Sequence, residues 1–93
     1  MPTAADPRFS LGQTVSTSNA QNTLNQEDVL IAMGRHHRGD WGDLCDEDRQ
    51  ANEQALEQNE RLFSVYHDRD GTKFYIITEH DRSVTTVLLP EDY

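Results

Sequence analysis

The side chains of this sequence that could do chemistry crowd into one stretch, Arg35-His36-His37-Arg38-Gly39-Asp40-Trp41-Gly42-Asp43-Leu44, followed at once by the chain's single cysteine, Cys45. His36, His37, Asp40 and Asp43 are all metal-ligand types. Neighbouring residues of a helix point about 100 degrees apart, however, so His36 and His37 do not easily share an ion. A zinc-type Cys/His spacing needs more than one cysteine. The simpler expectation is that His37 packs near Trp41 and that His36 is solvated, with no metal and no cofactor. Cys45 would act as a nucleophile only beside a base such as His36, His37, His67 or His80. A helix start lowers a thiol pKa, but surrounding acids raise it. A structural Cys45, buried or half-buried, is the simpler reading, and a small Cys- or metal-dependent enzyme ranks third among the function classes below. Arg38-Gly39-Asp40 spells an adhesion tripeptide, yet Gly39 suits the left-handed residue that ends a helix. Trp41, the only tryptophan, suits an anchor between helices and sheet, or an interface hot spot if exposed.

Charge is the more telling pattern. Asp40, Asp43, Asp46, Glu47, Asp48, Glu53, Glu57 and Glu60 face a single base, Arg49, so this segment carries −7 of the chain's net −9. Before Asp40, acids and bases balance; after Glu60, six acids meet four bases. A pI near 4.6 disfavours direct binding to nucleic acid or to an anionic membrane, since both need a basic footprint. It favours a basic partner, because opposite fields steer encounter.

The elements that would position these groups follow from periodicity and punctuation. Residues 1–8 read as a flexible tail and residues 9–93 as one domain. With 34% hydrophobic residues, the core is expected to be thin, so partner-dependent stability or a homodimer is in keeping with the composition. Phe9 to Ser16 suggests a short edge strand with Gly12 as a bend. Thr17 or Ser18 caps a short helix over Asn19–Leu24, and Asn25 caps a longer one carrying Val29, Ala32 and Met33 on one face and ending near Gly39. Asp40–Cys45 is a turn. A second acid-led helix runs to about Asn59 with a narrow stripe of Ala51, Ala55 and Leu56. Three strands complete the chain: Arg61–His67, the doubly apolar Thr72–Thr78 as central strand, and Ser83–Leu89, stopped by Pro90. Asp68-Arg69-Asp70-Gly71 makes the first hairpin turn. The fold class is therefore α+β: an antiparallel meander of three or four strands packed by two to three helices on one face. No run reaches membrane-span length, no apolar signal core follows Met1, and a lone cysteine precludes an intrachain disulfide, which together suggest a cytoplasmic protein.

The run from Arg35 to Leu44, followed by Asn52-Glu53, Ala55-Leu56, Arg61-Leu62, Gly71-Thr72, Ile77-Thr78-Glu79, Asp81-Arg82-Ser83, Thr85-Thr86, Leu88-Leu89-Pro90-Glu91 and Tyr93, resembles a family of small proteins of plasmids and other mobile elements. Some of its members are labelled plasmid-related or linked by name to type I restriction. The resemblance spans roughly Phe9 to Tyr93 and implies an association with mobile elements rather than a chemistry. A methyltransferase reading does not fit, because the chain has no Gly-rich cofactor loop and is too short for a cofactor-binding α/β domain.

Three function classes result. The first is a non-enzymatic acidic interaction protein, an anti-defence inhibitor of antirestriction or anti-CRISPR type. It would occupy a basic surface on a nucleic-acid-handling protein through Asp43, Asp46, Glu47, Glu53 and Glu57, with Trp41 as support. The second is a structural accessory subunit or homodimer meeting its partner through the sheet face of Tyr75 and Ile77. The third is the Cys- or metal-dependent enzyme.

Overall fold

The computed structural model describes residues 7–93. The tail expected over residues 1–8 therefore lies outside the described residues up to residue 6, and Arg8 proves to be part of the fold. The elements are β1 (Gln13–Ser16), α1 (Ser18–Thr23), α2 (Gln26–His37), α3 (Asp46–Glu57), β2 (Leu62–His67), β3 (Lys73–Thr78), β4 (Val84–Leu88) and a final 3-10 turn, Pro90–Asp92. The architecture is α+β.

Local chemistry sets most boundaries. Thr17 accepts from the Ala20 N–H and Asn25 from the Asp28 N–H, each capping a helix with a side-chain oxygen. Glu27 and Asp28 sit in the first turn of α2 and Arg35 in its last, complementing the helix dipole at both ends. Gly39 follows α2 with φ +84°, the left-handed conformation that terminates helices. Asp46, Glu47 and Asp48 open α3 behind Cys45, whose side chain makes no capping bond.

The sheet order is β1-β4-β3-β2. β2, β3 and β4 form the expected antiparallel meander, with Phe74-Tyr75-Ile76-Ile77 in an interior strand. β1 differs from expectation in one respect: it pairs parallel to β4, with Gln13 opposite Val84 and Ser16 opposite Val87. The sheet is therefore mixed. A parallel neighbour requires a long crossover, and here everything from α1 to β3 supplies it.

On one face Leu62, Ser64 and Tyr66 of β2, Phe74, Ile76 and Thr78 of β3, and Thr85 and Val87 of β4 are all buried. Ala20, Leu24, Val29 and Ala32 of the first two helices join Tyr66, Phe74, Ile76 and Val87 in the main core. A second cluster joins Trp41, Ala55 and Leu62, with Phe9, Leu44 and Leu56 against it. Complete burial of side chains such as Phe74 and Ile76 contributes about 1.5–3 kcal/mol each. On the opposite face, Phe63, Tyr75 and Tyr93 pack ring against ring, at 4.7 Å between Phe63 and Tyr75 and 6.0 Å from each to Tyr93. On this face Ile77 is only 2% exposed, Tyr75 is half-buried and Tyr93 is 69% exposed. Among the described residues, no helix is long and apolar enough to cross a membrane.

Candidate functional site: the acidic turn and helix

Residues 40–45 are more ordered than a turn. Trp41 accepts the Val65 N–H at 3.3 Å through its carbonyl and Asp43 donates its N–H to the Val65 carbonyl at 2.7 Å, so the segment runs along the outer edge of β2 as a bridge. Gly42, at φ +78°, lies directly against the Val65 carbonyl and the Tyr66 ring, where no Cβ fits. Asp40 is held by Arg35 at 2.8 Å and accepts the Gly42 N–H at 3.2 Å. The Arg35 hydrogen bond, with help from Gly42, keeps the Asp40 carboxyl below its usual pKa against a desolvation that would raise it.

The rest of the β2 edge is closed by α3. Asn52 donates through Nδ2 to the Phe63 carbonyl at 2.6 Å and accepts the Phe63 N–H at 3.1 Å. A side-chain amide thus imitates one residue of a neighbouring strand. Asn52 is 5% exposed and takes the place on the inward stripe of α3 expected for Ala51, which is exposed. His67 at the end of β2 meets Asp43 at 2.8 Å.

The expected contact residues divide into two sets. Glu53 is engaged from inside the molecule: Arg8 grips both its oxygens, at 2.7 and 2.8 Å, and Trp41 Nε1 donates to it at 2.8 Å. These contacts, the Arg8 hydrogen bonds foremost, hold its carboxyl below the usual range. Trp41 is 2% exposed, stacked with Phe9 at 6.0 Å. It supports the site from within and presents no surface. Asp43 is exposed and shared with His67. Asp46, Glu47 and Glu57 are exposed and make no side-chain hydrogen bond or ion pair with another described residue; Asp48 and Glu60 join them. Arg49, the one base of the segment, turns away from the acids and donates to the carbonyls of Leu44 and Gly42 at 2.9 and 2.7 Å. The outer side of α3 forms a shallow hollow of ≈ 470 Å³ lined by Glu47, Gln50, Ala51, Glu53, Gln54 and Glu57. Chemically this surface can accept cationic side chains; it holds no nucleophile–base pair.

The histidines exchange the places expected for them. His36 is fully buried and meets Trp41 edge-on at 5.7 Å, while His37 is only partly covered. His36 Nδ1 lies 2.5 Å from Ser64 Oγ and Nε2 2.8 Å from Thr78 Oγ1; Thr78 lies 2.7 Å from Thr85, which donates to the Leu11 carbonyl at 2.7 Å. The carbonyl can only accept, so the direction of the whole chain is fixed. Thr85 donates to Leu11, Thr78 to Thr85, His36 Nε2–H to Thr78, and Ser64 to Nδ1. His36 is neutral, its pKa driven down to about 3 chiefly by burial and further by His37 and Arg82. Both ring nitrogens are used, which leaves neither for a metal. The signal was in the sequence: Val29, Ala32, Met33 and His36 fall at i, i+3, i+4 and i+7 on one helix face. Cys45 is exposed rather than buried, because an N-cap residue stands outside the stripe that its helix turns inward.

No family model, curated protein or solved structure matches the chain. Several residues between Arg35 and Tyr93 have structural tasks that can be named. Trp41, Gly42, Asn52 and Glu53 close the β2 edge and the adjoining corner. Arg82 donates to the carbonyls of Glu60 at 2.7 Å and Glu79 at 3.0 Å, tying the end of α3 to the β3–β4 turn.

Proposed function

We propose that the protein is a non-enzymatic, acidic interaction protein of a mobile genetic element. It would act as an anti-defence inhibitor of antirestriction or anti-CRISPR type, occupying a basic nucleic-acid-binding surface on a nucleic-acid-handling protein. The contact set is Asp46, Glu47 and Glu57, extended by Asp48 and Glu60 and bordered by Asp43. Glu53 and Trp41 belong to the scaffold beneath it.

The observation that carries this reading is that, among the described residues, four carboxylates of α3 and Glu60 just beyond it have no side-chain cation partner, although an arginine, Arg49, stands among them and bonds backbone carbonyls instead. Glu47 and Glu57 lie ten residues apart on α3, roughly 15 Å at 1.5 Å per residue. That length matches several phosphates of a nucleic-acid strand. Carboxylates fixed on a helix, with Glu47 and Glu57 lining one hollow and Asp48 and Glu60 another, meet a surface rich in Lys and Arg without the flexibility of a charged tail, and their long-range field raises the rate of encounter.

The test is affinity capture from the native host, with the bound proteins identified and eluted by rising salt. The expected result is a nucleic-acid-binding protein, released by moderate salt and competed off by duplex nucleic acid. Capture of a protein that salt and nucleic acid leave in place refutes the reading.

A further inference from the structure

The two edges of the sheet are treated differently. The β2 edge is closed by the Trp41–Asp43 backbone and by the Asn52 amide. Among the described residues the β1 edge is open: β1 pairs with β4 alone. Gln13 and Thr17 direct their N–H groups onto Ser83 and Val87, each at 3.0 Å, so strand alternation turns those of Thr14 and Ser16 away from the sheet. All four β1 residues are exposed. Natural edges are blunted by charge, proline or bulges, and Gln13-Thr14-Val15-Ser16 has neither charge nor proline. Alongside runs an apolar groove of ≈ 180 Å³ between the strand and α2, lined by Ser16, Val29, Leu30, Met33 and Val87 among others. Leu30 at its lip is 73% exposed, the most exposed large apolar side chain among the described residues.

We propose that this edge is a self-association surface: β1 pairs antiparallel with β1 of a second copy across a two-fold axis, and Leu30 of each copy packs toward the groove of the other. Charge selects this occupant. The chain carries −9, and two copies repel wherever their acidic segments approach. The Trp41–Asp43 stretch and α3 adjoin β2, the strand at the opposite edge of the sheet from β1, and Glu60 at the segment's end reaches Arg82 before β4. Meeting at β1 places eight strands between the two acidic arms, at roughly 4.8 Å per strand, several times the ~8 Å screening length at physiological salt. No charged side chain lines the groove, so a charged segment finds no counter-charge there. A two-fold axis needs only a patch complementary to itself, and an uncharged strand beside a protruding leucine is one.

The experiment is sedimentation equilibrium of the full chain over the micromolar range, with hydrogen exchange read at Thr14 and Ser16. The expected result is a dimer in which those two amides exchange slowly. Thr14→Pro deletes an N–H that the β4 ladder does not use, and Leu30→Glu charges the joint. Each is expected to give a monomer with unchanged circular dichroism and fast exchange at Ser16. Should Thr14→Pro fail to fold, Leu30→Glu decides alone. A wild-type monomer at every concentration overturns the proposal, as does a dimer that Leu30→Glu leaves intact. Slow exchange that appears only when host extract is added also overturns it, in favour of a strand from another protein.

Discussion

The Asn52 side chain forms with the Phe63 backbone the two hydrogen bonds that a strand residue would form, at 2.6 and 3.1 Å. This pairing attaches the acidic helix to the sheet. Truncation leaves a part-buried N–H and carbonyl without their partner, at up to about 1–3 kcal/mol for each group. Asn52→Ala is expected to lower unfolding free energy by about 2–3 kcal/mol in urea denaturation. Asn52→Asp should be nearly as harmful, because a carboxylate accepts from the Phe63 N–H but repels its carbonyl. A loss below about 0.5 kcal/mol in both variants would show that the β2 edge does not depend on this side chain.

Gly42 stands where the chain crosses β2, with φ +78° and no room for a Cβ against Val65 and Tyr66. Gly42→Ala combines a left-handed strain of about 1 kcal/mol with a backbone clash that the bridge cannot relax without breaking. The expected outcome is a loss of more than about 3 kcal/mol, measured as a lowered midpoint in thermal melts. Gly71, at φ +82° with open space around it, is the control. Gly71→Ala should cost only the conformational strain, and equal melting of the two variants would contradict this account of the crossing.

His36 predicts an acid-side loss of stability that begins well above the carboxylate range. Its folded pKa of about 3 lies below the ordinary 6.5, so the unfolded chain binds the proton first. Stability from this group is complete above pH 6.5 and is lost as pH falls toward 3. The slope is about 1.4 kcal/mol per pH unit, or about 2 kcal/mol by pH 5. The carboxylates held low by arginines, Asp28 by Arg69 and Glu53 by Arg8, lose their contributions further down, below about pH 4.5. Urea denaturation at pH 7, 6 and 5 checks the slope, and the His36 imidazole protons should show no titration by NMR down to pH 5. A midpoint near 6.5 for that ring would disprove the relay from Ser64 to Leu11.

Glu53 separates scaffold from contact surface. Its side chain is 46% exposed, so its ion pair with Arg8 contributes no more than about 1 kcal/mol after solvent screening. Glu53→Gln keeps an acceptor for Trp41 Nε1 and should cost about 0.5 kcal/mol while leaving partner capture unchanged. Capture lost with stability intact would return Glu53 to the contact set.

Local rules of sequence reading found the helices, their caps, the Asp68–Gly71 turn and the interior position of β3, because those features are written in adjacent residues. What escaped them is non-local. Nothing near Val15 says that its neighbour will be β4 or that the pairing will be parallel. Nothing near Asn52 names Phe63 as its partner. Arg8 looks like tail until Glu53, 45 residues away, is known to receive it. The concentration of acids was plain in the composition of one segment; which acids are free was not, since that depends on where Arg8, Arg35 and Arg49 point in the folded chain. His36 is the exception: its helix-face spacing with Val29, Ala32 and Met33 matches its burial, against the expectation of a solvated ring.

The proposed function rests on free carboxylates of α3, rather than the fold as such, recognising the partner. Its most direct test uses Asp46→Asn, Glu47→Gln and Glu57→Gln in one variant, which removes three charges without introducing like charge at the helix start. Association with the captured host protein is then measured against salt. The account predicts unchanged urea stability within about 0.5 kcal/mol per site, at least a tenfold slower association at low salt, roughly what several steering charges supply, and a flattened salt dependence. Equal association of wild type and variant at every salt concentration would contradict it.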